Sequence, residues 1–197
     1  APARAVRPAR RIAPLTDSRS TTREAVDGSL GGGAFEAVED VETGREIENI
    51  AFASGTTGGN GTAADSGSQA DPTDLDSAVT LAGTNGLVVV LGSQGSLTTQ
   101  VDLLDGQVVL GGGSTLDVRG VVSNAAFTYN PGDTRPTLIH DAAVAGTGVV
   151  QIENATGVKI QGLSFNALVP NFGTQRFGVS IVGSSHGIVP AIDVAGG

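Results

Sequence analysis

From about residue 87 to Ala195 the chain repeats one pattern. A short run of β-branched and aliphatic residues is followed by a turn carrying glycine or asparagine, and then by another such run. Leu87 to Leu91 precedes Gly92-Ser-Gln-Gly95, and Gln107 to Leu110 precedes Gly111-Gly-Gly113. Gly148 to Ile152 leads into Glu153-Asn-Ala-Thr-Gly157, then Val158 to Gly162, then Leu163 to Asn166. Gly178 to Val182 leads into Gly183-Ser-Ser-His-Gly187. Many short strands at fairly even spacing, with no helical period between them, restrict the chain to a β-solenoid, sandwich or barrel.

Composition favours the first of these. The chain has 197 residues, enough for one domain with an appendage, yet it has no Trp, Met or Cys and only 4% aromatic residues. A core without large aromatics is built from Val, Ile, Leu and Ala in repeated small layers, which suits stacked rungs. Intervals of 20 residues from Val88 to Val108 and 21 from Val158 to Val179 suit one coil of a three-sided stack. The lack of Cys excludes disulfides and thiolate metal sites and is compatible with export. The opening Ala1-Pro2-Ala3 resembles a mature start after signal cleavage. No apolar run approaches the ~20 residues of a membrane-spanning helix.

The net charge of −9 is unevenly placed. Arg4, Arg7, Arg10, Arg11, Arg19 and Arg23 are six of the eleven basic residues, and from Ala25 to Asp76 eleven acids face Arg45 alone. The expected organisation is an extended Arg-rich arm over 1–33, an acidic segment and a Gly/Ser/Asp linker over 34–73, and a strand-rich body over 74–197. Ala34 to Thr43 reads as a short helix with Phe35, Val38 and Val41 on one face. Glu46 to Ala53 reads as a strand. A capping helix is expected over 74–83, with Thr73 or Asp74 as its N-cap and Gly83 as its stop. The stretch Val121 to Pro136, with Phe127 and Tyr129, and the stretch Leu168 to Phe177, with Phe172, read as loops extruded from the stack. Such loops carry function more often than rungs do. The arm arginines and Phe127, Tyr129, Phe172 and Phe177 are therefore the candidate partner-binding residues. Nucleic acid is excluded as a partner, since the body is acidic and no aromatics interleave with the arginines.

Gly58 to Asp65, Asp71-Pro72, the turn from Leu104 to Gly113 and the rung from Val158 to Leu163 together resemble the start of right-handed parallel β-helices of the pectin-lyase-like group. In particular the chain looks like bacterial surface and autotransporter passenger proteins. The resemblance covers roughly residues 55–195. It implies an all-β, right-handed parallel β-helix (solenoid) with a short N-terminal capping helix and an extended N-terminal arm.

The same architecture hosts enzymes that cut acidic polysaccharides. The candidates for a calcium-dependent lyase are Asp102, Asp105, Asp117, Asp141 and Asp193, with Arg119, Arg135, Arg176 and Lys159. No two of these acids stand at i, i+2 on one rung. A hydrolase needs paired acids and, by the resemblance, a glycine-histidine-glycine motif, which Ser185-His186-Gly187 matches at two of three positions. His186 reads as a turn residue, and His140 as the end of a strand. No catalytic or cofactor-binding set is expected. The acidic group Asp65, Asp71, Asp74 and Asp76 leaves loose calcium binding open, although acids near a helix N-terminus are commonly a solvated cap.

The expected function is that of a non-enzymatic exported or cell-surface protein, structural or adhesive, forming part of a larger assembly or filament. Protein partners, copies of itself or a surface polysaccharide are its expected contacts. A polysaccharide-acting enzyme fragment is the alternative.

Overall fold

The computed structural model describes residues 10–11, 34–55, 61–92, 96–140, 148–166 and 177–182. In chain order the strands are β1 (Arg10–Arg11), β2 (Ala34–Phe35), β3 (Val38–Asp40), β4 (Glu46–Ile47) and β5 (Ile50–Ala53). Helix α1 (Leu75–Ala82) follows, then β6 (Leu87–Val90), β7 (Leu97–Thr99), β8 (Val101–Asp102), β9 (Val108–Gly111) and β10 (Leu116–Gly120). The rest are β11 (Ala126–Tyr129), β12 (Thr137–His140), β13 (Gly148–Glu153), β14 (Lys159–Gln161), β15 (Ser164–Asn166) and β16 (Phe177–Val182).

The central element is the parallel sheet β14-β9-β6-β5. Its register places Ile50, Leu87, Val108 and Lys159 in one row, Ala51, Val88, Val109 and Ile160 in the next, and Phe52, Val89, Leu110 and Gln161 in a third. Side chains alternate between faces along a strand, so these rows point alternately to opposite sides. Both sides are covered. Val88, Val90, Val109 and Ile160 join one apolar cluster with α1, while Leu87, Val89, Val108 and Leu110 join a second with Val38, Ile47, Leu116 and Val118. Leu87 to Val90 is therefore a continuous buried run, as expected for a strand covered on both faces.

The first cluster is closed by α1 and by two further parallel sheets, β15-β12-β7 and β16-β13-β8. Helix α1 forms as its sequence dictates. The Asp74 carboxylate accepts the Ser77 N–H at 2.9 Å, Gly83 donates to the Val79 carbonyl, and Leu75, Ala78, Val79 and Ala82 make the buried stripe. Gln107 completes the helix end from within. Its amide donates to the Val79 and Gly83 carbonyls at 2.9 and 2.8 Å, and its oxygen accepts the Leu104 N–H at 2.8 Å. The second cluster is closed by the sheet β11-β10-β3-β4, in which the pairings β10–β11, β10–β3 and β3–β4 are antiparallel.

These findings correct the expectation of an all-β, right-handed parallel β-helix. The architecture is mixed: one helix and separate small sheets, parallel and antiparallel. The strand intervals are uneven, since Leu87 pairs with Val108 but Val109 pairs with Ile160, and Val179 pairs with Val150 and not with Val158. The returns between strands therefore differ too much in length for one even coil. An antiparallel sheet covers the second cluster where a solenoid would present only its outer face.

Two local expectations also fail. Residues 34–43 form β2, β3 and a turn in place of a helix, because Val38 and Asp40 both point inward with the period of a strand. Residues 121–136 are not simply extruded. Val121 to Ala125 makes a hairpin turn, and β11 pairs back on β10 with Phe127 opposite Val118 and Tyr129 opposite Leu116. The strand expected over 46–53 is present as β4 and β5, interrupted at Glu48 and Asn49. The arm, apart from the two residues of β1, lies outside the described residues, as do 168–176 and 183–197.

Gln107→Leu should cost about 3 kcal/mol in urea denaturation, because it leaves two helix-end carbonyls and one N–H without partners in an apolar setting. An unchanged midpoint would show that water replaces the amide.

Candidate functional site

Lys159 is the sole lysine of the chain and it is buried, with a side-chain exposure of 3%. Strand parity explains why. It stands in the row of Ile50, Leu87 and Val108, whose face is covered by the antiparallel sheet. Across the gap, Asp40 lies opposite Val118 on the inward face of β3 and is 1% exposed. The two charged groups meet at the seam between the sheets. Lys159 Nζ lies 3.2 Å from both Oδ1 and Oδ2 of Asp40 and 2.6 Å from Oε2 of Glu42, whose side chain is half-exposed.

The turn after β3 fixes this centre. The Glu42 N–H donates to Asp40 Oδ1 at 3.1 Å, the Thr43 hydroxyl donates to Oδ2 at 2.9 Å, and the Gly44 N–H donates to the Asp40 carbonyl. Asp40 is thus an acceptor for a backbone N–H, a hydroxyl and an ammonium, which is what a buried carboxylate requires. On the opposite face of the same strands, Arg119 of β10 pairs with Glu39 of β3. Charge therefore links β3 to its neighbours on both faces.

A second carboxylate holds the β10–β11 hairpin. Glu36 accepts the Val122 N–H at 2.7 Å, the Ser123 N–H at 2.8 Å and the Ser123 hydroxyl. Burial pushes its pKa up, but the three donors outweigh it and hold the group below its ordinary value. A third tie crosses the stacked turns. Asp105 accepts the Thr156 N–H at 2.6 Å and the Thr156 hydroxyl at 2.9 Å, and these bonds, aided by Arg45, lower its pKa. Turns at Glu48, Asn85, Asp105 and Thr156 stack through N–H to carbonyl bonds. Gly106 and Gly157 in this column have φ of 68° and 65°, and a Cβ at either would run into Asn85 or Arg45.

The other candidates are dispersed. Asp102 is exposed on β8, Asp117 accepts from the Thr128 hydroxyl at 2.5 Å, and Arg135 is partly buried before β12. Asp141, Arg176, Asp193 and His186 lie outside the described residues. Those that are described do not converge: Asp102 belongs to β8, Asp117 and Arg119 to β10 and Lys159 to β14. The candidate calcium acids are engaged locally. Asp65 accepts the Thr62 N–H, Asp71 accepts the Ser66 N–H and Asp74 caps α1. Among the described residues, no three His, Cys, Asp or Glu side chains are grouped to hold a metal.

The aromatic candidates differ from the extruded contacts expected of them. Phe127 and Tyr129 are partly buried against the second apolar cluster, and burial pushes the Tyr129 phenol up to about 12. Arg10 and Arg11 form β1, pairing with Ala34 and Phe35, and Phe177 begins β16. Arg4, Arg7, Arg19, Arg23 and Phe172 lie outside the described residues. Sequence reasoning missed the Lys159–Asp40 centre and the Glu36 tie. The alternation Val38-Glu39-Asp40 and the run Val158-Lys159-Ile160 were the available signals.

No protein-family model, curated protein or solved structure matches this chain. No helix among the described residues is long and apolar enough to cross a membrane.

Lys159→Met should destabilise the fold by about 3–5 kcal/mol, because Asp40 is left as an uncompensated buried charge. Lys159→Met combined with Asp40→Leu should be more stable than Lys159→Met alone in thermal denaturation, and a double variant as unstable as the single one would contradict this account. The Glu36 pKa lies below its ordinary 4.5 in the folded state, so its stabilisation is complete above that pH and is lost as pH falls through the lowered value. Glu36→Gln should therefore be less stable than the parent at pH 7, with the gap closing in acid. A gap that stays constant with pH would contradict the assignment.

Proposed function

We propose that this chain is a non-enzymatic structural protein, exported and displayed at a cell surface, that builds an assembly with copies of itself. One observation carries the reading. The row Ile152–Ile181 points the same way on neighbouring strands β13 and β16, and Ile152 is 1% exposed while Ile181 is 51% exposed. Among the described residues, β16 is the outer strand of its sheet, as β14 and β15 are of theirs. Edge strands with apolar side chains beside them are templates for further pairing.

Two other observations support it. Asp40, Asp105, Arg119 and Lys159 are engaged in ties between distant segments and Asp117 in a tie across the β10–β11 hairpin, which favours a role in stabilising the fold over one on a substrate. The likeness to bacterial surface and autotransporter passenger proteins supports export, with which the cysteine-free composition is compatible.

Light scattering across a concentration series is the test. The expected result is a mass that rises above the monomer with concentration and falls back in Ile181→Lys, whose charge would be placed in the contact. A monomer at every concentration would sink the assembly. Depolymerisation of polygalacturonate or alginate by the pure chain, abolished by substitution of Arg176 or Asp193, would establish the enzymatic alternative instead.

A further inference from the structure

We propose that Lys159 and Asp40 become joined by an intramolecular amide bond, with Glu42 as the proton carrier. The inference does not depend on the assembly reading, since it concerns chemistry within one chain.

Three features converge on it. The amine lies equidistant, at 3.2 Å, from both oxygens of one carboxyl group and 2.6 Å from a second carboxylate. Both reacting groups are almost wholly buried. The fold holds the partners in contact permanently, so the encounter that limits amide formation in solution is already made. Such intramolecular positioning corresponds to effective concentrations of about 10⁵ M or more.

The reaction needs no co-reactant. Glu42 takes one proton from the Lys159 ammonium and hands it to Asp40, leaving a free amine, a neutral Asp40 acid and an ionised Glu42. The free amine pair then attacks Asp40 Cγ, forming the C–N bond and a tetrahedral centre. The nitrogen gives up a further proton to Glu42, which passes it to a departing hydroxyl, and the C–O bond breaks. Ammonium plus carboxylate becomes amide plus water, with atoms and charge balanced. The interior favours the product, because two desolvated charges are replaced by one neutral amide. Glu42 is half-exposed and so opens toward solvent, giving the proton and the water a way out. The resulting bond would fasten β3 to β14, closing the antiparallel sheet onto the central one.

Intact mass spectrometry of the full, denatured chain tests this directly. The expected mass is one water below that of the sequence. A tryptic fragment should join residues 24–45 to residues 120–176, and Lys159 should resist amine acylation in the unfolded chain. Lys159→Arg cannot form the amide, and Glu42→Gln cannot carry the proton. Both should show the full sequence mass, with circular dichroism confirming that each is folded. A parent chain at full sequence mass, with Lys159 acylated once unfolded, overturns the proposal. A water-deficient mass in folded Glu42→Gln overturns the role given to Glu42.

Discussion

Burial of one parallel sheet on both faces is the constraint from which the rest of this structure follows. The rows through Leu87 to Val90 are apolar on both sides, so each side needs a cover. One is supplied by α1 and the sheets that follow it, the other by the antiparallel sheet. A strand of this kind has no solvent face on which to place a charge, and β14 nevertheless carries Lys159. The seam between the sheets accommodates it only because Asp40 and Glu42 arrive from the opposing layer.

That charge also specifies which layer arrives. Apolar rows tolerate sliding, since Val against Leu differs little from Val against Val. A lone ammonium in a covered row does not, because its desolvation is offset only at one position. Asp40 lies opposite Val118, and Arg119 meets Glu39 one residue along, so the inner and outer faces of β3 fix the same register. Glu36 then extends the same logic to the hairpin, binding two N–H groups at a turn with no regular partner.

The elements that could be read from sequence are those in which side-chain chemistry and burial agree. Asp74 and Gly83 bracket α1 with an amphipathic stripe between them, and Leu87 to Val90 and Val108 to Gly111 are simple apolar runs. The misread elements are those in which the two conflict. Residues 34–43 satisfied a helical spacing because inward-facing Asp40 looked like a solvent residue, and removing it from the apolar set hid the alternation Val38–Asp40. Residues 126–129 alternate clearly, but Asn130-Pro131-Gly132 drew the whole stretch into a loop. The candidate site was hidden for the same reason, as a buried Lys and a buried Asp, distant in sequence, each read as ordinary surface charge.

The polar ties have one further property in common. Asp40–Lys159, Glu39–Arg119, Glu36 with the hairpin and Asp105 with Thr156 each join segments far apart in the chain, whereas the cap at Asp74 and the turns at Asp65 and Asp71 are local. Long-range ties contribute little while the chain is open, since each requires a large loop to close first. They become effective only after the apolar rows have aligned the strands. The hydrophobic pattern thus brings the layers together, and the charged pairs select one alignment among the several that the pattern alone would accept.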